Sequence, residues 1–152
     1  GFQQVAGGLE LGRINIAARG AGMAKGATDM ALRYAMERKT FGKPIAEHQA
    51  IQLKLAEMST RASAAELLVK QAANKFDRGE RCDLEAGQAK FFASESAVQN
   101  SLDAMRVFGG YSYSPEYEIE RFYRDAPLLC IGEGTNEIQR MIIAKQMVAR
   151  TQ

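Results

Sequence analysis

An acidic side chain, Glu133, stands between two glycines in the stretch CIGEGTNEIQR, Cys130 to Arg140, just before a helix start. Thr135 suits the N-cap position there, so backbone N–H groups without intrahelical partners gather beside the acid, and such donors suit an anion. Two readings fit these residues. In one, GEGT is only a helix-entry turn, with Gly132 and Gly134 supplying unusual backbone angles and Glu133 in water. In the other, the carboxylate is a functional group. Metal chemistry has little to work with: Cys82 and Cys130 lie far apart without CxxC spacing, and the single histidine, His48, has no glutamate three residues before it. Neither a zinc site nor a ferritin-like metal site is expected.

The elements that hold this stretch are read from hydrophobic spacing. The chain has 152 residues, 46% hydrophobic and 25% charged, enough for one core in one domain. Lys plus Arg number 20 against 18 for Asp plus Glu, with the signs interspersed, so no basic stripe invites nucleic acid or an anionic membrane. No apolar run approaches the roughly 20 residues of a membrane span. The cysteine usage fits a reducing cytoplasm, and the abrupt opening, GFQQVAGGLELGR, is that of a fragment.

Ile16, Gly20, Met23, Ala27, Met30 and Tyr34 recur at helical spacing and predict a first helix ending near Lys39. A second, from about Pro44 to Asp77, carries Ile51, Leu55, Met58, Ala62, Ala65, Val69, Ala72 and Phe76 on one face. A third, N-capped by Asp83, runs to about Phe108 and should be buried on two sides, with Ala86, Ala89, Ala93, Ala97, Ala104 and Val107 on one stripe and Phe91, Val98, Leu102 and Met105 on another. A short helix is expected to restart at Ser114 and Pro115, and a last one to run from Thr135 to about Ala149. No β pattern appears. The fold class is all-α, an antiparallel four-helix bundle of long helices with a short extra helix.

The segments RYAMERKTFGKPIAEHQAIQ, MRVFGGYSY, RFYRDA and IGEGTNEIQR, in this order and at these separations, resemble the C-terminal helical domain of the flavin-dependent acyl-CoA dehydrogenases. The resemblance runs from about Glu10 to Ala149. It implies a larger enzyme whose N-terminal helical and middle β domains are absent from residues 1–152, commonly a tetramer built as a dimer of dimers. It also implies FAD as cofactor, an acyl-CoA substrate, and electron-transfer flavoprotein or another acceptor as electron partner. Glu133 matches the family's catalytic base, which removes a proton from the thioester's α carbon while a hydride leaves the β carbon. Gly134, beside it, would let substrate approach. Some relatives carry the base on the first helix, just before an arginine; here Gly12 holds that place and cannot act as a base. Arg13 matches a residue beside the base and thioester, its alternative being a solvated first-turn arginine. Glu10 is expected to be a non-catalytic acid.

The resemblance assigns Arg38, Thr40, Phe41 and nearby Gln49 to the flavin dinucleotide of a neighbouring subunit, where arginine's planar fork suits pyrophosphate. Arg106, Gly109 and Gly110 match a second strip of that site, although relatives often have glutamine in place of Arg106. Thr135 and Glu137 match residues near the subunit's own flavin. His48, the free thiols Cys82 and Cys130, and the methionines are expected to be structural, with Arg124 and Asp125 in ion pairs that hold the loop before Glu133. Relatives often place tyrosine just before the base, and Gly132 here implies room for a branched or bulky acyl group. Two rival functions remain: an acyl-CoA oxidase, and a non-catalytic helical assembly module of the same shape.

Overall fold

The computed structural model describes residues 2–151, with the side chains of residues 8–151. Three long helices, α1 (Phe2–Glu37), α2 (Gln49–Asp77) and α3 (Asp83–Phe108), precede two shorter ones, α4 (Ile119–Ile131) and α5 (Asn136–Thr151). Contacts between side chains fix the directions. Arg13 faces Asp83 and Asn100 faces Ala24, so α1 and α3 run parallel; Lys75 meets Glu85 and Lys54 meets Asp103, so α2 runs against α3. Lys90 contacts Cys130 while Ile119 packs in one cluster with Ala104, Val107 and Phe108, and Ser94 contacts Asn136 while Glu85 contacts Arg150. Both α4 and α5 therefore run antiparallel to α3, one after the other, and together form the fourth arm of the bundle, broken between residues 131 and 136. Glu133 sits in that break. Among the described residues no helix is long and apolar enough to cross a membrane.

Helix α3 is the central element. Its alanine stripe is fully buried, as expected, and Phe91, Val98, Leu102 and Met105 are half-buried on its other sides. The buried stripe of α1 is not the one its larger residues mark. Ala17, Ala24, Ala27, Ala31 and Ala35 face the core, while Ile16 and Met23 pack against the Ala97–Ala126–Leu129 cluster and Met30 and Tyr34 against the cluster around Phe108. Small side chains let two helices approach closely, and Gly20 marks one such approach: a Cβ there would lie 2.8 Å from the backbone carbonyl of Ala93.

Polar side chains inside the bundle set its register. Asn100, with no exposed surface, lies 3.1 Å from Ala24 O on α1 and 2.8 Å from Met58 O on α2, and its side-chain oxygen accepts from Arg61 Nε at 2.7 Å. Buried Asp103 accepts from Arg61, Lys54, Gln99 and Arg106. At the opposite end Glu85 takes hydrogen bonds from Arg150 and Lys75; Arg150 above all, against the opposing push of burial, holds its carboxyl down at about 2.

Several boundaries differ from the sequence reading. A two-residue hairpin, β1 (Lys39–Thr40) with β2 (Lys43–Pro44), joins α1 to a 3₁₀ turn at Ile45–Glu47, so α2 starts at Gln49 rather than Pro44. The hairpin is too short to show a period of two. Cys82, not Asp83, holds the cap position of α3. The stretch after α3 winds into a 3₁₀ helix at Gly109–Tyr113, and α4 begins at Ile119 instead of Ser114. Arg124 and Asp125 belong to α4, where Arg124 pairs with Glu120 one turn back rather than holding the loop before Glu133.

Gly20→Ala should destabilise the protein by about 1–3 kcal/mol, because a methyl group driven into a backbone carbonyl forces α1 and α3 apart. Gly22→Ala, where an added Cβ meets nothing within 4 Å, should instead be neutral or stabilising by up to about 1 kcal/mol. Chemical denaturation of the two variants side by side checks the pair.

Candidate functional site

The break in the fourth arm has a defined backbone. Helix α4 ends at Ile131, with the Gly132 N–H still donating to Leu128 O at 2.9 Å. Gly132 itself is extended, at φ −65 and ψ 152, a conformation open to any residue. The unusual angles belong to Glu133, at φ 55, and Gly134, at φ 84. The expectation that both glycines supply them thus holds for Gly134 only. A left-handed conformation costs a non-glycine residue about 1–2 kcal/mol, and such outliers cluster where function demands a direction. Thr135 immediately precedes α5 in the N-cap place expected of it, its hydroxyl oxygen 3.5 Å from the Ile138 N–H and its carbonyl accepting from the Gln139 N–H at 3.0 Å, so the helix starts at Asn136, one residue later than the spacing predicts. Glu137, exposed in the first turn, has its carboxyl lowered by its own N–H and by the Thr135 hydroxyl.

Three buried side chains that the sequence reading did not single out hold this turn. Gln139 Nε2 lies 3.2 Å from Glu133 O and 3.3 Å from Gly134 O. The Lys90 ammonium, with no exposed surface, donates to Gly134 O at 2.9 Å, Cys130 O at 3.2 Å and Asn136 Oδ1 at 2.8 Å. Asn136 in turn donates to Glu95 at 2.7 Å. One signal in the sequence marks Lys90: a cation in the middle of a helix whose apolar stripes require burial on two sides.

The Glu133 side chain crosses to α1. A Cβ placed on Gly12 would lie 2.5 Å from Glu133 Oε2 and 2.9 Å from its Cδ, so the carboxylate fills the space that any side chain at position 12 would enter. Arg13, one residue on, is well inside α1 rather than in a first turn. Its side chain is 11% exposed, 3.9 Å from Asp83, and its Nε is buried without a hydrogen-bond partner. Glu10 lies against Cys82 and Asp83 at the start of α3; burial, then the charge of Asp83, raises its pKa. Burial likewise lifts the Cys82 thiol to about 11, and both cysteines are free.

A second cluster forms beyond the far end of α1. Tyr34, Arg38, Thr40, His48, Phe108, Gly109, Gly110 and Tyr111 line an open cleft of about 590 Å³. Tyr34 stacks on Phe108 with centroids 4.2 Å apart, Arg38 sits 5.5 Å over the Tyr111 ring, and His48 is hydrogen-bonded to Thr40 at 2.9 Å. Positive φ at both Phe41 and Gly42 makes the hairpin turn type I′. It leaves the Phe41 ring 97% exposed, edge-on to His48. Gly109, at φ 63 and ψ −138, occupies a region that only glycine enters easily. A cation, a hydroxyl, an aromatic floor and a bare backbone are what an anionic dinucleotide would meet, so the cleft fits that ligand class. Gln49 is exposed on the first turn of α2 and Arg106 is turned to Asp103 at 3.2 Å; neither lines the cleft.

The two clusters stand at opposite ends of the bundle. From Gly12 to Arg38 along α1, at 1.5 Å per residue, is roughly 39 Å. Fold and site thus define a helical domain that offers a carboxylate at one end and an open cleft with one arginine and an aromatic floor at the other. Residues 1–148 match the family model described as acyl-CoA dehydrogenase, C-terminal domain. The chain is 51% identical over 140 residues to a 3-(aryl)acrylate reductase of Clostridium sporogenes, covering 92% of this chain and 37% of that protein. It is 49% identical over 151 residues to an acyl-CoA dehydrogenase of Bacillus subtilis, covering 99% of this chain and 40% of the relative. The solved butyryl-CoA dehydrogenase of Megasphaera elsdenii superposes with a TM-score of 0.91 at 41% identity, over 92% of this chain and 37% of that one. The chain belongs to the acyl-CoA dehydrogenase family, and it spans well under half the length of these relatives.

The strain at Glu133 is measurable apart from chemistry. Glu133→Gly should be more stable than Glu133→Ala by about 1 kcal/mol, since both lose the carboxylate and only alanine keeps the left-handed penalty. Equal melting temperatures for the two would contradict the backbone geometry.

Proposed function

We propose that this chain is the C-terminal domain of an FAD-dependent acyl-CoA dehydrogenase in which Glu133 removes the α proton of an acyl-CoA thioester. The observation that carries the proposal is the Glu133 carboxylate, held on a left-handed backbone over Gly12. The α C–H is a very weak acid, and its proton becomes removable when the thioester carbonyl is polarised as charge grows on its oxygen. The Glu133 N–H is the donor for that oxygen, so one residue supplies both the base and the polarising hydrogen bond. Gly134 leaves the approach open. An acyl chain that displaces water from the carboxylate raises its pKa and strengthens it as a base. Arg13, buried beside Gly12 with an unpaired Nε, lends positive charge to the same end of α1.

FAD, when bound, supplies the acceptor for the β hydride. Thr135 and Glu137 border the subunit's own flavin. Arg38, Thr40 and Phe41 serve a neighbour's dinucleotide together with the backbone at Gly109 and Gly110, while Gln49 and Arg106 contribute less directly. The roughly 39 Å between the two clusters supports this division. No single dinucleotide bridges that distance, in keeping with the arrangement the family resemblance implies, a tetramer built as a dimer of dimers in which each flavin draws on two subunits. The N-terminal helical and middle β domains complete the enzyme, and electron-transfer flavoprotein or another acceptor reoxidises it. The same groups serve the reverse reduction, with Glu133 returning the proton, a direction favoured by the name of the Clostridium sporogenes relative. Oxygen-dependent formation of peroxide would identify an oxidase instead, and a colourless full-length protein would identify the assembly module.

In the full-length enzyme, Glu133→Gln should keep flavin and bind acyl-CoA but bleach its flavin at least about 10² to 10⁴ more slowly than wild type. Glu10→Gln should stay active within a few fold. Near wild-type reduction in the Glu133 variant would mean that the base lies elsewhere.

Room at Gly132 sets substrate choice. A Cβ there would meet Leu128 O at 3.5 Å and Ile16 Cδ1 at 4.0 Å, ordinary van der Waals contacts, so the backbone does not itself demand glycine. Gly132→Tyr should lower kcat/KM for branched or aryl acyl-CoAs by roughly 10- to 200-fold while sparing short straight chains. A wild-type enzyme that already prefers short straight chains in a turnover panel would overturn this reading.

A further inference from the structure

The turn that carries Glu133 is fastened from outside by a single buried cation. Lys90 sits on α3 with no exposed surface, and its ammonium makes three hydrogen bonds, one for each of its N–H groups. Their acceptors straddle Glu133. Cys130 O belongs to the last turn of α4, where carbonyls lack intrahelical partners and the helix dipole is negative. Gly134 O directly follows Glu133, and Asn136 Oδ1 belongs to the first residue of α5. Burial pushes the Lys90 pKa down, so removing this charge from water is opposed by desolvation and offset by those acceptors. A methionine would fill the same volume without that opposition. A cation retained at such a place has to do something that packing alone does not.

What it holds, alongside Gln139 on α5, is a peptide in a strained conformation. Residue 133 is at φ 55, and a return to negative φ would rotate its Cα–Cβ bond relative to its N–H, so that the two no longer share one direction. The carboxylate would leave its place over Gly12, and the N–H would turn away from where a thioester oxygen must sit. We propose that Lys90 is a positioning residue for the proton-transfer step: its ammonium clamps the carbonyls on both sides of Glu133 and holds residue 133 in the left-handed conformation that aims carboxylate and N–H at one substrate. Asn136 is the second jaw of this clamp, accepting from Lys90 while it donates to Glu95 and lies 3.0 Å from Ser94 Oγ. The proposal rests on the reading of Glu133 as the base.

The test uses the full-length holoenzyme and four proteins: wild type, Glu133→Gln, Lys90→Met and Asn136→Ala. Flavin content, oligomeric size, acyl-CoA dissociation constant and the rate of flavin bleaching at saturating acyl-CoA are measured for each. A non-reacting acyl-CoA with a chromophore conjugated to the thioester carbonyl reports polarisation of that carbonyl through its absorption maximum. Lys90→Met is expected to keep flavin, assembly and acyl-CoA affinity within a few fold, to bleach roughly 10- to 100-fold more slowly, and to lose most of the red shift that the chromophore shows on wild type. Asn136→Ala should show the same pattern at smaller amplitude. Glu133→Gln should lose bleaching but keep the red shift, because its N–H stays in place. Wild-type bleaching and an unchanged red shift in Lys90→Met overturn the positioning role. So does loss of flavin and assembly in step with activity in both clamp variants, which would make Lys90 a purely structural residue. An active Glu133→Gln overturns the base assignment instead, so the two failures are told apart.

Discussion

A glutamate held at φ 55 between two helices is a local strain of about 1–2 kcal/mol that its surroundings must offset, and much of the domain's design follows from that requirement. A continuous fourth helix would bury its backbone groups without difficulty, but its side chains would leave at fixed angles and none would cross to Gly12. Breaking the arm after Ile131 frees the carbonyls of α4 and the N–H groups of α5, and these must be satisfied inside the bundle. Buried Lys90 donates to Cys130 O and Gly134 O and buried Gln139 to Glu133 O and Gly134 O, while the Thr135 hydroxyl accepts from the Ile138 N–H, and the same bonds fix the turn. The polar core at this end is thus the direct consequence of the break.

The long helices provide the rigidity that the turn needs. Alanines and Gly20 bring α1 against α3 closely enough that Gly12 and Lys90 approach the same turn from two different helices. Alanine contacts are smooth and would permit sliding along the axis. Asn100, bonded at once to α1 and α2, and Asp103 with its surrounding cations supply the directional contacts that prevent it. Close apolar packing sets how near the helices lie, and buried hydrogen bonds set their register.

Much of this was legible in the residues, and the rest failed for identifiable reasons. The long helices and the buried face of α3 follow from spacing, because repeats over many turns leave a strong signal. Spacing points to the wrong face of α1 because Ile16 and Met23 carry more hydrophobic weight than the alanines that are buried against the core. The hairpin at Lys39–Pro44 has two residues per strand, below any period, and its Phe41–Gly42 turn places a phenylalanine where asparagine or aspartate is usual. At the site, the resemblance pointed to Glu133, Arg38 and Gly109, which the fold sets in two clusters. It pointed equally to Arg106, which spacing could not separate from the cleft because its turn toward Asp103 depends on tertiary contacts. Lys90 and Gln139 escaped notice because a lone lysine or glutamine on a helix is normally solvated.

The distance between the clusters carries the last step. A carboxylate near one end of α1 and the cleft around Arg38 beyond the other stand roughly 39 Å apart, and α1 joins them as one continuous element without a proline or a positive φ between residues 13 and 37. Where neighbouring subunits contribute to each flavin site, such a helix fixes the position of one subunit's base relative to the cofactor contact it gives to the next. A continuous helix of this length keeps the two contacts at a set separation, and its residue 12 has to be glycine because the Glu133 carboxylate occupies the space that a Cβ there would enter.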